Sequence, residues 1–101
     1  MLDKMKELYQ LQKQAREMQK ELKEIEIEAQ SRDGLITIVL NGELRIEKIT
    51  LDETLLQPAK KRDLERSLEE TLREGLSQAQ KIAAEKSQAM MKAMGVNLPG
   101  M

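Results

Sequence analysis

Residues 35–42, with the sequence LITIVLNG, decide the fold of this chain. The first six are apolar or β-branched on both faces of an extended chain, which is typical of a strand in the middle of a sheet. Asn41 and Gly42 then form the strongest short-range hairpin signal, because a type I′ turn needs positive φ at both central residues. The stretch therefore predicts a central strand that ends in a hairpin.

Further strands are predicted on both sides of this stretch. Residues 44–51 form the return strand of the hairpin, and the slip in their apolar phase at residues 47–48 indicates a β-bulge. On the other side, apolar residues alternate with glutamates over residues 24–29, a period of two that favours a short strand, and residues 31–34 form a turn. Residues 25–51 are therefore expected to form a three-stranded antiparallel sheet.

Helices are predicted before and after the sheet. Residues 1–23 contain no glycine or proline and are rich in strong helix formers. Asp52 can cap a short helical turn, and Pro58 suits the first turn of a second helix over residues 59–94. Gly75 interrupts the second helix, either to admit a closely packed neighbour or to kink it.

The fold class predicted from this order is α+β, in a single domain over residues 1–101. It consists of a long N-terminal helix, a small antiparallel β-sheet with an Asn-Gly hairpin, and a long C-terminal helix. Residues 95–101 are expected to form a tail. A sheet of this size buries little, so much of both helices is left without support in a single chain.

An apolar seam with heptad spacing runs along the first predicted helix. Such a stripe has to be buried, and a chain of 101 residues with one aromatic residue supplies little core for it. A symmetric homodimer solves this problem, because the exposed stripe of one protomer then meets that of its partner. The predicted dimer contacts are Leu8, Leu11, Ala15, Met18 and Leu22.

The composition leaves enzymatic chemistry little to work with. The chain has no cysteine, hence no thiolate nucleophile, and no histidine, the commonest general base and metal ligand. Its hydroxyl, lysine and carboxylate groups do not form a nucleophile elbow, a phosphate-binding loop or a metal-ligand spacing. We therefore expect a protein that is not an enzyme and that uses no catalytic residue, metal, cofactor or small-molecule substrate.

The sequence also lacks the usual signals for export or membrane insertion. No apolar run approaches the ~20 residues of a membrane span, and the N-terminus has no signal-peptide pattern. These features favour a cytoplasmic protein without a membrane partner, and an intracellular bacterial protein would fit them.

Basic residues of the first predicted helix recur at intervals of seven on the side opposite the seam, in a chain whose net charge is only −1. A basic stripe on one helix face can follow a DNA phosphate backbone, but most charge stripes are simply solvated surface, and both interpretations stay open. The candidate DNA-binding residues are Lys6, Lys13, Arg16, Lys20 and Lys23, with Lys81, Lys86 and Lys92 of the second helix.

An apolar cluster lies near the end of the chain. Methionines at helical spacing usually fill gaps in a core, which favours a core or dimer contact, and an adaptable protein-binding surface is the alternative. The residues of this cluster are Met90, Met91, Met94, Val96 and Leu98.

Several local strings, taken in their order and spacing, resemble the YbaB/EbfC family of nucleoid-associated proteins along nearly the whole chain. They are Lys13-Gln14-Ala15 and Met18-Gln19 in the first helix, the hairpin at residues 36–42, residues 49–52, Leu55-Leu56, Asp63-Leu64-Glu65 and the closing Leu98-Pro99-Gly100. The resemblance implies a tweezer-like homodimer whose helices project from a joined β-platform. It also implies binding of double-stranded DNA with little sequence demand, location in the nucleoid, and a role in nucleoid organisation and gene regulation.

Two other functions fit the same order of elements. Prefoldin also combines helix, β-hairpin and helix and grips unfolded clients with its helix tips, so a prefoldin-like holdase is one alternative. The other is a scaffold that binds another protein through the cluster at residues 90–98. The salt dependence of binding distinguishes both alternatives from DNA binding, because phosphate contacts weaken steeply as the salt concentration rises and apolar contacts do not.

Overall fold

The computed structural model describes residues 2–93 and Gly95. Its elements occur in the predicted order of helix, three strands and helix, which confirms the predicted fold class. Two short 3₁₀ turns join the sheet to the second helix. The elements are α1 Leu2–Glu24, β1 Glu26–Gln30, β2 Ile36–Asn41, β3 Ile46–Leu51, the turns Glu53–Leu55 and Pro58–Lys60, and α2 Lys61–Ala93.

The sheet is antiparallel, and β2 lies between β1 and β3, as its apolar character predicts. Ile38 of β2 is opposite both Ala29 of β1 and Ile49 of β3, so these three side chains lie on one face of the sheet. Glu47 is an extra residue on β3 with no counterpart on β2. It forms the β-bulge that the slip in apolar phase predicts.

The hydrophobic core lies between the sheet and α2. Ile36, Ile38 and Leu40 of β2 are completely buried, and leucines that recur along α2 pack against them. Burying such a side chain contributes about 1.5–3 kcal/mol, so this layer is the main source of stability. The packing leucines of α2 are Leu64, Leu68, Leu72 and Leu76.

Gly75 brings α2 close to the sheet. A Cβ atom at this position would lie 2.5 Å from Cδ1 of Leu40 and 3.2 Å from Cβ of Ala29, both shorter than an ordinary van der Waals contact. Gly75 is buried within the continuous helix α2. Of the two roles that the sequence leaves open for this glycine, close packing is the one observed.

The hairpin between β2 and β3 differs from the predicted turn, so the prediction of type I′ is wrong. Neither Asn41 nor Gly42 has positive φ, whereas Leu44 does, at 68°. The Leu44 N–H donates to the Asn41 carbonyl over 3.2 Å, and the Asn41 N–H donates to the carbonyl of Arg45 over 2.9 Å. The connection is therefore a three-residue loop, a type I turn followed by a residue in the left-handed region.

The surroundings of Gly42 explain this difference. Its N–H donates to the carbonyl of Leu22 over 2.7 Å, and a Cβ atom on Gly42 would lie 2.7 Å from the same oxygen. The glycine is thus required for close approach to the end of α1 rather than for positive φ. Asn41 contributes through its side chain, whose Oδ1 accepts hydrogen bonds from the N–H groups of Glu43 and Arg45.

The segment after β3 starts α2 much as predicted. The Asp52 carboxylate accepts hydrogen bonds from the hydroxyl and the N–H of Thr54, at 2.7 and 2.9 Å, and caps the first 3₁₀ turn. These two bonds hold the pKa of Asp52 below its ordinary value. Pro58 begins the second 3₁₀ turn, so the α-helix itself starts at Lys61 rather than at residue 59.

The molecule is elongated because its helices extend beyond the sheet. It measures 67 × 27 × 16 Å and has a radius of gyration of 19.1 Å, whereas a compact chain of this length has about 13 Å. The two helices contain 23 and 33 residues, which corresponds to lengths of roughly 35 and 50 Å. Much of their surface therefore lies outside the core.

The Gly75→Ala variant is expected to lower the free energy of unfolding by about 1 kcal/mol. Overpacking against Leu40 costs about 1–3 kcal/mol, and the gain in helix propensity offsets about 1 kcal/mol of this. Ser77→Ala, at an exposed position of the same helix, is the matched control and is expected not to destabilise. Urea unfolding measures both; a Gly75→Ala variant that is more stable than the wild type by about 1 kcal/mol, the gain from helix propensity alone, contradicts the packing argument.

The Leu44→Gly variant is expected to raise the free energy of unfolding. A left-handed backbone costs roughly 1–2 kcal/mol in a residue that has a Cβ atom, and the greater chain entropy of glycine offsets part of the gain. Leu44→Ala removes the rest of the side chain but keeps the backbone strain, so it isolates this effect. Thermal unfolding should rank the glycine variant above the alanine variant, and the reverse order rules out strain at this position.

Candidate nucleic-acid interface

The predicted DNA-binding cations of α1 lie on the solvent side of the helix. Leu22 is buried against Gly42, and Met18 is half-buried beside α2. These contacts turn the seam inward at this end of α1 and the opposite face outward. We call the exposed cations of that face the basic stripe: Lys6, Lys13, Arg16, Lys20 and Lys23.

Among the described residues, no carboxylate forms an ion pair with a cation of the basic stripe. In the part of the chain that the structure describes, the ion pairs lie elsewhere, at Lys61–Glu65, Arg73–Glu69 and Lys86–Glu21. Within the described part of the chain, the charged groups of the stripe are therefore exposed and not held by a carboxylate.

The three candidate lysines of α2 do not share one environment. Lys81 and Lys92 are exposed and lie three helical turns apart on one side of α2. Lys86 instead faces α1, where its Nζ lies 3.4 Å from Oε2 of Glu21. An exposed pair of this kind contributes little stability, but it places Lys86 between the helices rather than on the outer surface.

α1 and the C-terminal half of α2 lie side by side and antiparallel, and we call this helix pair the arm. Between the helices is a groove of about 300 Å³, lined among others by Met18, Ala89 and Met90. Met90 is half-buried there, so this part of the predicted apolar cluster packs between the helices. The predicted tail beyond Gly95 and three residues of the cluster, Met94, Val96 and Leu98, lie outside the described residues.

The N-terminal turns of α1 carry several apolar side chains that are exposed. Leu8 and Leu11 belong to the seam, whereas Met5 and Tyr9, each 69% exposed, do not. Tyr9 lies on the side of the basic stripe, three residues after Lys6 and four before Lys13. The DNA-binding residues predicted from the sequence are all lysines and arginines and do not include Tyr9. As the only aromatic residue of the chain, and placed between two lysines of the basic stripe, Tyr9 is a further candidate.

A second exposed apolar surface lies on β3. Ile46 and Ile49 are on the same face of the sheet as the core residues Ile38 and Leu40. They remain 46% and 47% exposed because α2 packs over β1 and β2 and leaves β3 uncovered. We call Ile46 and Ile49 the β3 shelf. On this face of the sheet, the hydrophobic core therefore extends from β2 to the exposed strand β3.

The predicted dimer contacts on α1 divide into two groups. Leu22 is buried within its own chain and Met18 is half-buried. Leu8, Leu11 and Ala15 are exposed and remain accessible to another molecule. Of the predicted dimer contacts, only those in the N-terminal part of the seam are therefore exposed.

Metal sites, membrane-spanning helices and other clefts are further potential sources of function. Over residues 2–93 and Gly95, no group of carboxylate, cysteine or histidine side chains is placed to hold a metal ion. Nor does a helix in that part of the chain have the length and apolar character needed to cross a membrane. A cleft of about 340 Å³ beside the β1–β2 turn is lined by Asp33, Glu70 and Glu74 with one arginine, and its negative charge disfavours phosphate.

These features define a class of protein: a small α+β protein with an open three-stranded sheet and a projecting helical arm that is basic on its outer side. The family model of the YbaB/EbfC DNA-binding family matches residues 1–94. The chain belongs to this family, which confirms the resemblance found in its sequence.

The chain is also similar to proteins named nucleoid-associated proteins in several organisms. It is 34% identical to one from Rhodopseudomonas palustris over 100 residues, covering 97% of this chain and 91% of the relative. It is 30% identical to one from Nitrobacter hamburgensis over 95 residues, covering 94% and 90%. A relative from Afipia carboxidovorans is 28% identical over 102 residues, covering 99% and 93%.

A solved structure has the same fold. It is the crystal structure of the uncharacterized protein HP0035 from Helicobacter pylori, with a TM-score of 0.77 and 18% sequence identity. The match covers 83% of this chain and 88% of that chain. At this identity the likeness concerns the fold alone.

Proposed function

We propose that this protein is a nucleoid-associated protein that binds double-stranded DNA through phosphate contacts, with little dependence on base sequence. The observation that carries the proposal is the basic stripe, whose cations are exposed on the outer side of α1 and form no ion pair with another described residue. Contacts from lysine and arginine to phosphates position a protein on DNA but carry no direct sequence information. Membership in a DNA-binding family and the names of the relatives support the same function.

The role in the cell follows from this mode of binding. A protein that contacts phosphates without strong sequence preference occupies many sites on the chromosome. We therefore assign it to the nucleoid in the cytoplasm, with a part in nucleoid organisation and gene regulation and with no catalytic activity. The lysines Lys81 and Lys92 extend the proposed contact surface onto α2, and Lys86 contributes only if it exchanges Glu21 for a phosphate.

The proposed DNA-binding unit is a tweezer-like homodimer. One arm offers a short row of cations, and contacts of this kind are individually weak and sensitive to salt. Two arms on one platform engage two phosphate tracts at once, so that the second contact forms at a high effective concentration. The dimer is thus expected to bind DNA with a much higher affinity than a single arm does.

The β3 shelf is the proposed dimer contact. Ile46 and Ile49 extend the core layer to the surface, and an apolar strip of this kind is typical of an interaction site. Pairing two shelves around a symmetry axis covers both and joins the sheets into a single platform. The exposed part of the α1 seam, Leu8, Leu11 and Ala15, is a second proposed contact.

A prefoldin-like holdase is a second candidate function, and the exposed apolar turns at the start of α1 favour it. Met5, Leu8 and Tyr9 offer a surface that an unfolded client can cover. Apolar client binding persists at high salt, whereas DNA binding collapses. Binding to both partners at two salt concentrations therefore distinguishes the two functions. A scaffold that binds through residues 90–98 would show the same persistence at high salt.

Charge reversal of both Lys13 and Lys20 to glutamate is expected to weaken binding to random-sequence duplex DNA at least about tenfold at low salt, by a similar factor for unrelated sequences. The slope of log K against log salt should also decrease by about one for each lysine that no longer contacts phosphate. Fluorescence anisotropy with labelled duplexes measures both quantities.

The matched control reverses Lys61 and Arg62, which are exposed at the start of α2 and change the net charge equally. This control should bind DNA nearly as the wild type does. If the stripe variant keeps its affinity, or if the control loses just as much, phosphate binding by the stripe is excluded.

Ile49→Glu is expected to convert the proposed dimer into a monomer and to weaken DNA binding. Dimerisation of this variant would bury an unpaired carboxylate at the proposed contact, which is energetically costly. Thr50→Glu, on the opposite face of β3, is the control and should remain dimeric. Light scattering gives the mass in solution, and circular dichroism verifies that both variants fold. If Leu11→Glu is monomeric while Ile49→Glu stays dimeric, the contact lies on the α1 seam instead.

A further inference from the structure

Tyr9 is exposed in a position that the core does not require. It is the only aromatic residue of the chain, and 69% of its surface is accessible. It lies on the outer side of α1, away from the seam residues Leu8 and Leu11. Met5, one turn before it, is equally exposed and lies next to it.

Two lysines of the basic stripe, Lys6 and Lys13, lie before and after Tyr9 along α1. Lys6 is about one turn before Tyr9 and Lys13 about one turn after it. The two lysines are thus separated by about 10.5 Å along the helix, the length of about three nucleotide steps of a duplex strand. Tyr9 lies between these two lysines on the same side of α1, so a strand that contacts both lysines would run close to its ring.

We propose that Tyr9 stacks on DNA bases where the duplex is interrupted, while Lys6 and Lys13 hold the phosphates on either side. This inference rests on the proposed function, because it specifies which form of DNA the basic stripe and Tyr9 bind most tightly. It predicts tighter binding to duplexes that contain a short single-stranded gap than to intact duplexes of the same length.

The chemistry of the ring supports this choice of ligand. In an intact duplex the base faces are stacked on one another, and an exposed ring on a helix reaches them only where the stack is open. Stacking tolerates any sequence because every base has a π-face, so it is compatible with binding through phosphates. Met5 adds a flexible apolar side chain next to the ring, which can cover the edge of the exposed base.

The chain is well suited to a direct test. A protein labelled with ¹³C-tyrosine has a single set of tyrosine ring signals, because it contains one tyrosine. Adding gapped duplex at low salt should shift the Tyr9 ring protons upfield, through the ring current of a stacked base. Intact duplex should give a much smaller shift at the same degree of saturation, followed independently by anisotropy of labelled DNA.

Two variants complete the experiment without disturbing the fold, since Tyr9 is exposed and leucine and phenylalanine are compatible with a helix. Tyr9→Leu keeps an apolar side chain without the ring and should reduce affinity for gapped duplex about tenfold, with little change for intact duplex or in the salt slope. Tyr9→Phe retains the ring and should bind as the wild type does.

The outcomes separate this inference from the proposed function. If DNA binds while the Tyr9 signals stay in place, or if Tyr9→Leu retains full preference for the gap, stacking is overturned and phosphate binding stands. Equal shifts with intact and gapped duplex overturn it in favour of a groove contact. If neither DNA binds at low salt, the proposed function fails as well.

Discussion

The contact between Gly75 of α2 and Leu40 of β2 is the constraint on which the rest of the structure depends. Without a side chain at Gly75, α2 approaches the sheet closely enough for its leucines to cover β1 and β2. At the adjacent hairpin, Gly42 holds the end of α1 through its hydrogen bond to Leu22. Two glycines thus position both helices of the arm relative to one small sheet.

This close packing also determines what stays uncovered. A single helix covers a limited width of sheet, and here it covers β1 and β2, so Ile46 and Ile49 of β3 remain at the surface. The seam is likewise buried only near the sheet, at Leu22 and partly at Met18, and its first turns remain exposed. The fold therefore leaves apolar side chains exposed on β3 and at the start of α1, whereas the basic stripe follows the outer side of α1.

Much of this architecture was predictable because it depends on local patterns. The central strand, the bulge at Glu47 and the cap at Asp52 each follow from residue types at fixed spacing, and the structure contains them. The position of the hairpin at Asn41 and Gly42 was also predictable, but its turn type was not, because a contact with Leu22, distant in sequence, determines how Gly42 is used. For the candidate site, the outward face of α1 followed from periodicity, but the pairing of Lys86 with Glu21 depends on the neighbouring helix.

The bulge in β3 has a consequence for the growth of the sheet. An open edge strand invites another strand to pair with it, and repeated pairing leads to fibres. The unpaired Glu47 breaks the regular spacing of hydrogen-bonding groups along this edge and adds a charge to it. The bulge and the charge of Glu47 consequently make this edge a poor template for the open-ended strand pairing that leads to fibres.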